Sequence, residues 1–190
     1  MALKLLMAPT VPCVTLADAK LHCRVDVPDD DALITQLVDA ATQDAEHLMQ
    51  RAIMPQQWQL TLDAFPSCIE LQRPIVTAIN SVKYVASATG TLTTLAGTEY
   101  LADLDSELVG RVTPAYGKSW PDTRVQLGAV QVVFTCGWPD ANSVPAVIKR
   151  WICLRVGALY ENREAWTLGK AIERNEFVDQ LLDRYRIFTV

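Results

Sequence analysis

The chain has 190 residues, half of them apolar and 21% charged, with a formal net charge of −5 at pH 7. A chain of this length and composition buries a full hydrophobic core without staples, which excludes a disordered segment. The negative balance speaks against a protein that grips nucleic acid, because neutralising phosphates needs a basic stripe and released counterions.

The opening MALKLLMAP holds one lysine and a short apolar patch cut by Pro9, less than a signal peptide requires. No stretch approaches the length of a transmembrane helix, so no membrane partner is expected. Thr15 then precedes LADAKLHCRV with Asp18 three residues on, the pattern of a capping box that opens a helix of two to three turns. Leu16, Ala19 and Cys23 give that helix an apolar edge.

The acidic run Asp29, Asp30, Asp31 stands where carboxylates cap free amides and favour the positive end of a helix dipole. Behind it Leu33, Ile34, Leu37, Val38, Ala41, Ala45, Leu48, Met49 and Ala52 recur at three- and four-residue spacing. The spacing predicts one long helix with a single buried stripe, stopped by Pro55.

From Gln56 the period changes. Trp58, Leu60 and Leu62 alternate with polar residues, FPSCIELQRPI breaks and resumes, and INSVKYV repeats the alternation. SATGTLTTLAGTEYLADLD reads as a hairpin tip and GRVTPAYGKSWPD as a further irregular stretch. AVQVVFTCGW, β-branched and aromatic, is the strongest strand and ends at Pro139.

Val144 and Pro145 open the next helix, since proline fits a first turn where its missing amide is not needed. Val147, Ile148, Trp151, Ile152, Val156, Leu159 and Tyr160 form its apolar stripe, while Lys149, Arg150 and Arg155 read as a solvated flank with snorkelling stems. A last helix is predicted near residues 171–185, with Phe177, Val178, Leu181, Leu182 and Tyr185 on one face. The resulting plan is α+β: a helical bundle formed by N- and C-terminal helices with a β-rich insertion between them. It is one domain over 1–190, with N-terminal helices in 14–54, the β insertion in 56–138 and C-terminal helices in 144–190.

Chemistry is sparse. Neither GxSxG, nor a Walker loop, nor GxGxxG, nor HExxH occurs, and of the two histidines His47 lies on the long helix as a partly exposed structural residue. Asp103, Asp105 and Glu107 can support a carboxylate-dependent hydrolase only if they converge, and in a short polar loop they read as solvated charge. The five scattered cysteines read as reduced thiols without metal spacing, so no metal, no cofactor and no catalytic residue is expected. The tryptophans are not interleaved with basic residues and read as core or interface anchors. Glu161, Arg163 and Glu164 differ: they close a helix with few apolar neighbours and suit charge-assisted pairs that fix an angle between subunits.

Taken in order, LADAKLHCRVD, DDDALITQLVDAATQDAEHL, WQLTLDAFP, LQRPIVTAINSVKYV, GAVQVVFTCGW, VPAVIKRW and LYENREAW resemble the head-to-tail connector, or adaptor, family of tailed double-stranded-DNA phages. The resemblance runs from about residue 13 to 166. It implies a non-enzymatic virion protein, made in the host cytoplasm and assembled as a ring of about twelve copies beneath the portal. Its expected partners are other copies of itself, the portal protein and a stopper or tail-terminator protein, with genomic DNA passing through the lumen without specific binding. A tail-completion or stopper protein of the same neck region is the alternative. The region after Trp166 is then the portal contact, and the expected interface set is Glu161, Arg163, Glu164, Trp166, Phe177, Tyr185 and Phe188.

Overall fold

The structure, a computed structural model, describes residues 1–162, 178 and 180–187. The fold is α+β, with three α-helices and eight strands among the described residues, and every strand pairing is antiparallel. The chain forms two compact units, one of residues 1–10 and 55–139 and the other of 11–54 and 140–190.

The first unit is the β-rich one. Its larger sheet has the order β1 (Ala2–Met7), β2 (Gln56–Leu62), β8 (Val130–Cys136), β4 (Val76–Val85) and β5 (Leu92–Thr94). The smaller has the order β3 (Ile69–Leu71), β7 (Gly110–Pro114) and β6 (Tyr100–Asp103). The central strand β8 fulfils its alternation, since Val130, Val132, Phe134 and Cys136 are buried and the residues between them are half-buried. Val132 sits opposite Leu60 on one side and Val82 on the other, so the register stacks one apolar face across three strands. Burying each such side chain contributes about 1.5–3 kcal/mol. Gly110 of β7 has a packing reason: a Cβ there would lie 3.0 Å from a methyl of Val76, so any larger residue would push Val76 aside.

The N-terminal patch, for which the sequence predicts no element, is a strand, β1, paired with β2 from Ala2 opposite Thr61 to Met7 opposite Gln57. The Thr- and Gly-punctuated stretches also contain β5, β6 and β7, which pair into sheets and are not merely a hairpin tip and irregular chain.

In the second unit α1 (Leu16–Cys23), α2 (Asp31–Met49) and α3 (Ala146–Glu161) all pack on one another. The capping box that opens α1 is formed as the sequence predicts: Asp18 N–H donates to Thr15 Oγ1 at 3.1 Å, and Thr15 N–H donates to the Asp18 carboxylate at 3.3 Å. Along α2 the buried residues are Ile34, Val38, Ala41, Ala45 and Met49, so Leu33, Leu37 and Leu48 flank the stripe half-buried. The helix ends at Met49, with Gln50 in the left-handed region, before Pro55 is reached. In α3 Ile148, Trp151, Ile152 and Val156 are buried, whereas Val147 lies on the exposed side.

The acidic run does not cap α2 with its side chains. Asp30 stands at the N-cap without a side-chain cap bond and accepts instead from the Tyr160 hydroxyl, while Asp31 pairs with Lys20. These carboxylates tie α2 to α3 and to α1.

Candidate interaction surfaces

The groups considered for catalysis do not assemble. His47 is exposed near the end of α2, and its carbonyl accepts from the Gln50 side chain. Asp103, Asp105 and Glu107 lie exposed around the β6–β7 turn, where the only bond that joins them runs from Asp105 N–H to Asp103 Oδ1. No group of three or more potential metal ligands occurs among the described residues. None of the five cysteines is in a disulfide, and burial pushes Cys13 up to about 11.

Of the cations on α3, Arg155 donates from Nε and Nη2 to one Asp44 oxygen at 3.2 and 3.1 Å, and Lys149 donates to the Ala141 carbonyl. They bind the helix to its surroundings and are more than a solvated flank. Arg150 instead reaches the imidazole of His22 on α1, Nη1 to Nδ1 at 3.4 Å. That ring also lies against Gly157, where a Cβ would stand 3.2 Å from His22 Nε2. Partial burial and then the Arg150 charge lower the pKa of His22.

Glu161 is the last residue of α3 and is exposed, with Asn162 closing the helix through its N–H and side-chain amide onto the Ala158 carbonyl. Tyr185 is half-buried, and its carbonyl accepts from the Arg51 guanidinium. Arg163, Glu164, Trp166, Phe177 and Phe188 lie outside the described residues, as does most of the helix predicted over 171–185.

The chain returns at 180–187 to the C-terminal end of α2. Ile187 N–H donates to the Met49 carbonyl at 3.1 Å and Arg186 Nε to the Leu48 carbonyl at 3.2 Å, which satisfies two of the acceptors that a helix end leaves free. Leu182 is buried, and so is Arg51, which ties α2's end to this segment. This clasp was not legible in the sequence, where Arg51 and Arg186 are each a single charge beside apolar residues with nothing to join them.

The first unit carries an exposed apolar surface that sequence reasoning also missed. In the loop between β7 and β8 Trp120 stacks on Phe65, with ring centroids 4.6 Å apart and planes 7° from parallel. On either side of that anchor Tyr116, Val125 and Leu127 stand 100%, 101% and 87% exposed. Their signal in the sequence is only apolar residues without a period among glycine, proline and charge.

Residues 13–88, which span α1, α2, β2, β3 and β4, match the family described as phage gp6-like head-tail connector protein. That likeness covers the N-terminal part of the chain, through β4. The chain has no match among the curated proteins. Its fold is shared with chains in three solved structures of gene transfer agent (GTA) particles. The neck of the empty particle computed with C6 symmetry and the native virion each give a TM-score of 0.81, and the native neck computed with C12 symmetry gives 0.80. In each the identity is 21%, and the similarity covers all of this chain and 97% of the other.

Proposed function

We propose that this protein is a head-tail connector, a structural subunit of a virion neck that forms a ring of about twelve copies between the portal and the tail or stopper. The ring extends the DNA channel and joins head to tail. The observation that carries this reading is the coincidence of two independent likenesses: connector sequence over residues 13–88, and a fold shared along the whole chain with proteins of symmetric particle necks.

In this reading the N- and C-terminal helices form one body, and the β-rich stretch is an insertion carried on it. Rotational symmetry demands heterologous contacts, in which one patch meets a different patch on the next copy. The exposed Glu161 at the end of α3 begins the charged set, continued by Arg163 and Glu164, that fixes this joint. Trp166, Phe177, Tyr185 and Phe188 are the aromatic anchors toward a neighbouring copy or the portal. The net charge of −5 lets DNA pass a lumen without the counterion release that drives binding.

The test is made on particles. Mass spectrometry of portal-bound heads isolated before tail joining contains this protein if the proposal holds, and heads made without it fail to join tails. Finding the protein only on tails, or on heads only after a further neck component has bound, makes it a stopper or tail-completion protein instead.

A further inference from the structure

The crossing of α1 over α3 brings together two thiols that are far apart in the chain. On α3 residues 150, 153 and 157 share one stripe at the i, i+3, i+7 spacing. On α1 residues 19, 22 and 23 share another, and Ala19 is fully buried against the rest of its unit. His22 bridges the two stripes, since its ring meets Arg150 one turn before Cys153 and Gly157 one turn after it. The two helices therefore cross where Cys23, the last residue of α1, and Cys153 stand, and both side chains are half-buried and not sealed in the core.

We propose that Cys23 and Cys153 are a dithiol site that closes to an intramolecular disulfide under a small-molecule disulfide oxidant, locking α1 to α3. One thiolate attacks a sulfur of the oxidant, forming a mixed disulfide and releasing one thiolate of the oxidant. The second protein thiolate then attacks the protein sulfur of that mixed disulfide and expels the other half. Two protein thiols are oxidised and one oxidant disulfide is reduced. Cys153 feels the charges of Arg150, Asp18 and Cys23, and Cys23 feels that of Glu161. Burial is the main cause that raises both thiols, so the pair stays mostly protonated at neutral pH and closes slowly there.

The experiment incubates the purified full-length chain with oxidised glutathione, followed by non-reducing peptide mass spectrometry. A peptide linking Cys23 to Cys153 is expected, forming about tenfold faster at pH 8 than at pH 7 because the thiolate fraction rises tenfold per unit. The oxidised chain unfolds about 5–15 °C higher, as a link closing so long a loop should give, and dithiothreitol reverses the shift. Cys23→Ser and Cys153→Ser each abolish the link, while Cys68→Ser leaves it. Glutathione stopping as a mixed adduct on one thiol, or a link only between two chains, overturns the proposal.

Discussion

His22 is held toward its neutral form, first by partial burial between α1 and α3 and then by the Arg150 guanidinium at its Nδ1; Cys23, Cys153, Asp18 and Glu161 are the other titratable groups around this crossing. A pKa below the ordinary 6.5 means that the unfolded chain takes up the proton first as pH falls. Stability from this site is therefore complete above about pH 6.5 and lost progressively below it, down through the lowered folded value. Thermal unfolding followed from pH 7.5 to 5 should show this loss, and His22→Gln should flatten the dependence. Arg51 makes a second prediction at the same scale. It is a buried cation holding the Tyr185 carbonyl, so Arg51→Met should destabilise the chain by roughly 1.5–3 kcal/mol in urea unfolding. An unchanged urea midpoint would mean that the 180–187 clasp contributes nothing.

Among the elements, α1 depends on its cap more than on apolar burial, because Ala19 is its only buried residue while both bonds of the capping box are made. Thr15→Ala should cost about 1 kcal/mol by urea unfolding. On α2 the buried stripe decides between neighbours. Ile34→Ala should cost roughly 2–5 kcal/mol through a core cavity, and the half-buried Leu37→Ala clearly less, because part of that site is already open to solvent. The reading of Leu37 as a core residue is adjusted accordingly. The three helices and strands β2, β4 and β8 were legible because their periods are strong and their partners bury one regular face. β1 was not, because ALKLLM is exposed on both sides except at Leu3 and so shows no alternation. β6 and β7 hid for a different reason: each is short, and its identity as a strand comes from pairing within the three-stranded sheet and not from its own composition. At the candidate surface, the charged end of α3 could be read from residue order. The clasp of Arg51 and Arg186 could not, because hydrogen bonds to carbonyls across the chain leave no periodic trace.

At the scale of the whole molecule, the proposed neck role sets what this protein should bind and what it should not. Its affinity for duplex DNA should be too weak to detect at physiological salt, since a chain of net charge −5 releases few condensed counterions; gel-shift titration checks this. Trp166→Ala and Phe188→Ala should weaken assembly more than folding, with an interface loss of about 2 kcal/mol or more against an unchanged melting temperature of the isolated subunit. An equal fall in both would place these side chains in the subunit core. The most direct measurement of the central claim is electron microscopy of the purified protein mixed with the portal of its own phage. The account predicts closed rings of about twelve copies seated coaxially on the portal. Free 21.1 kDa monomers beside undecorated portals would contradict it.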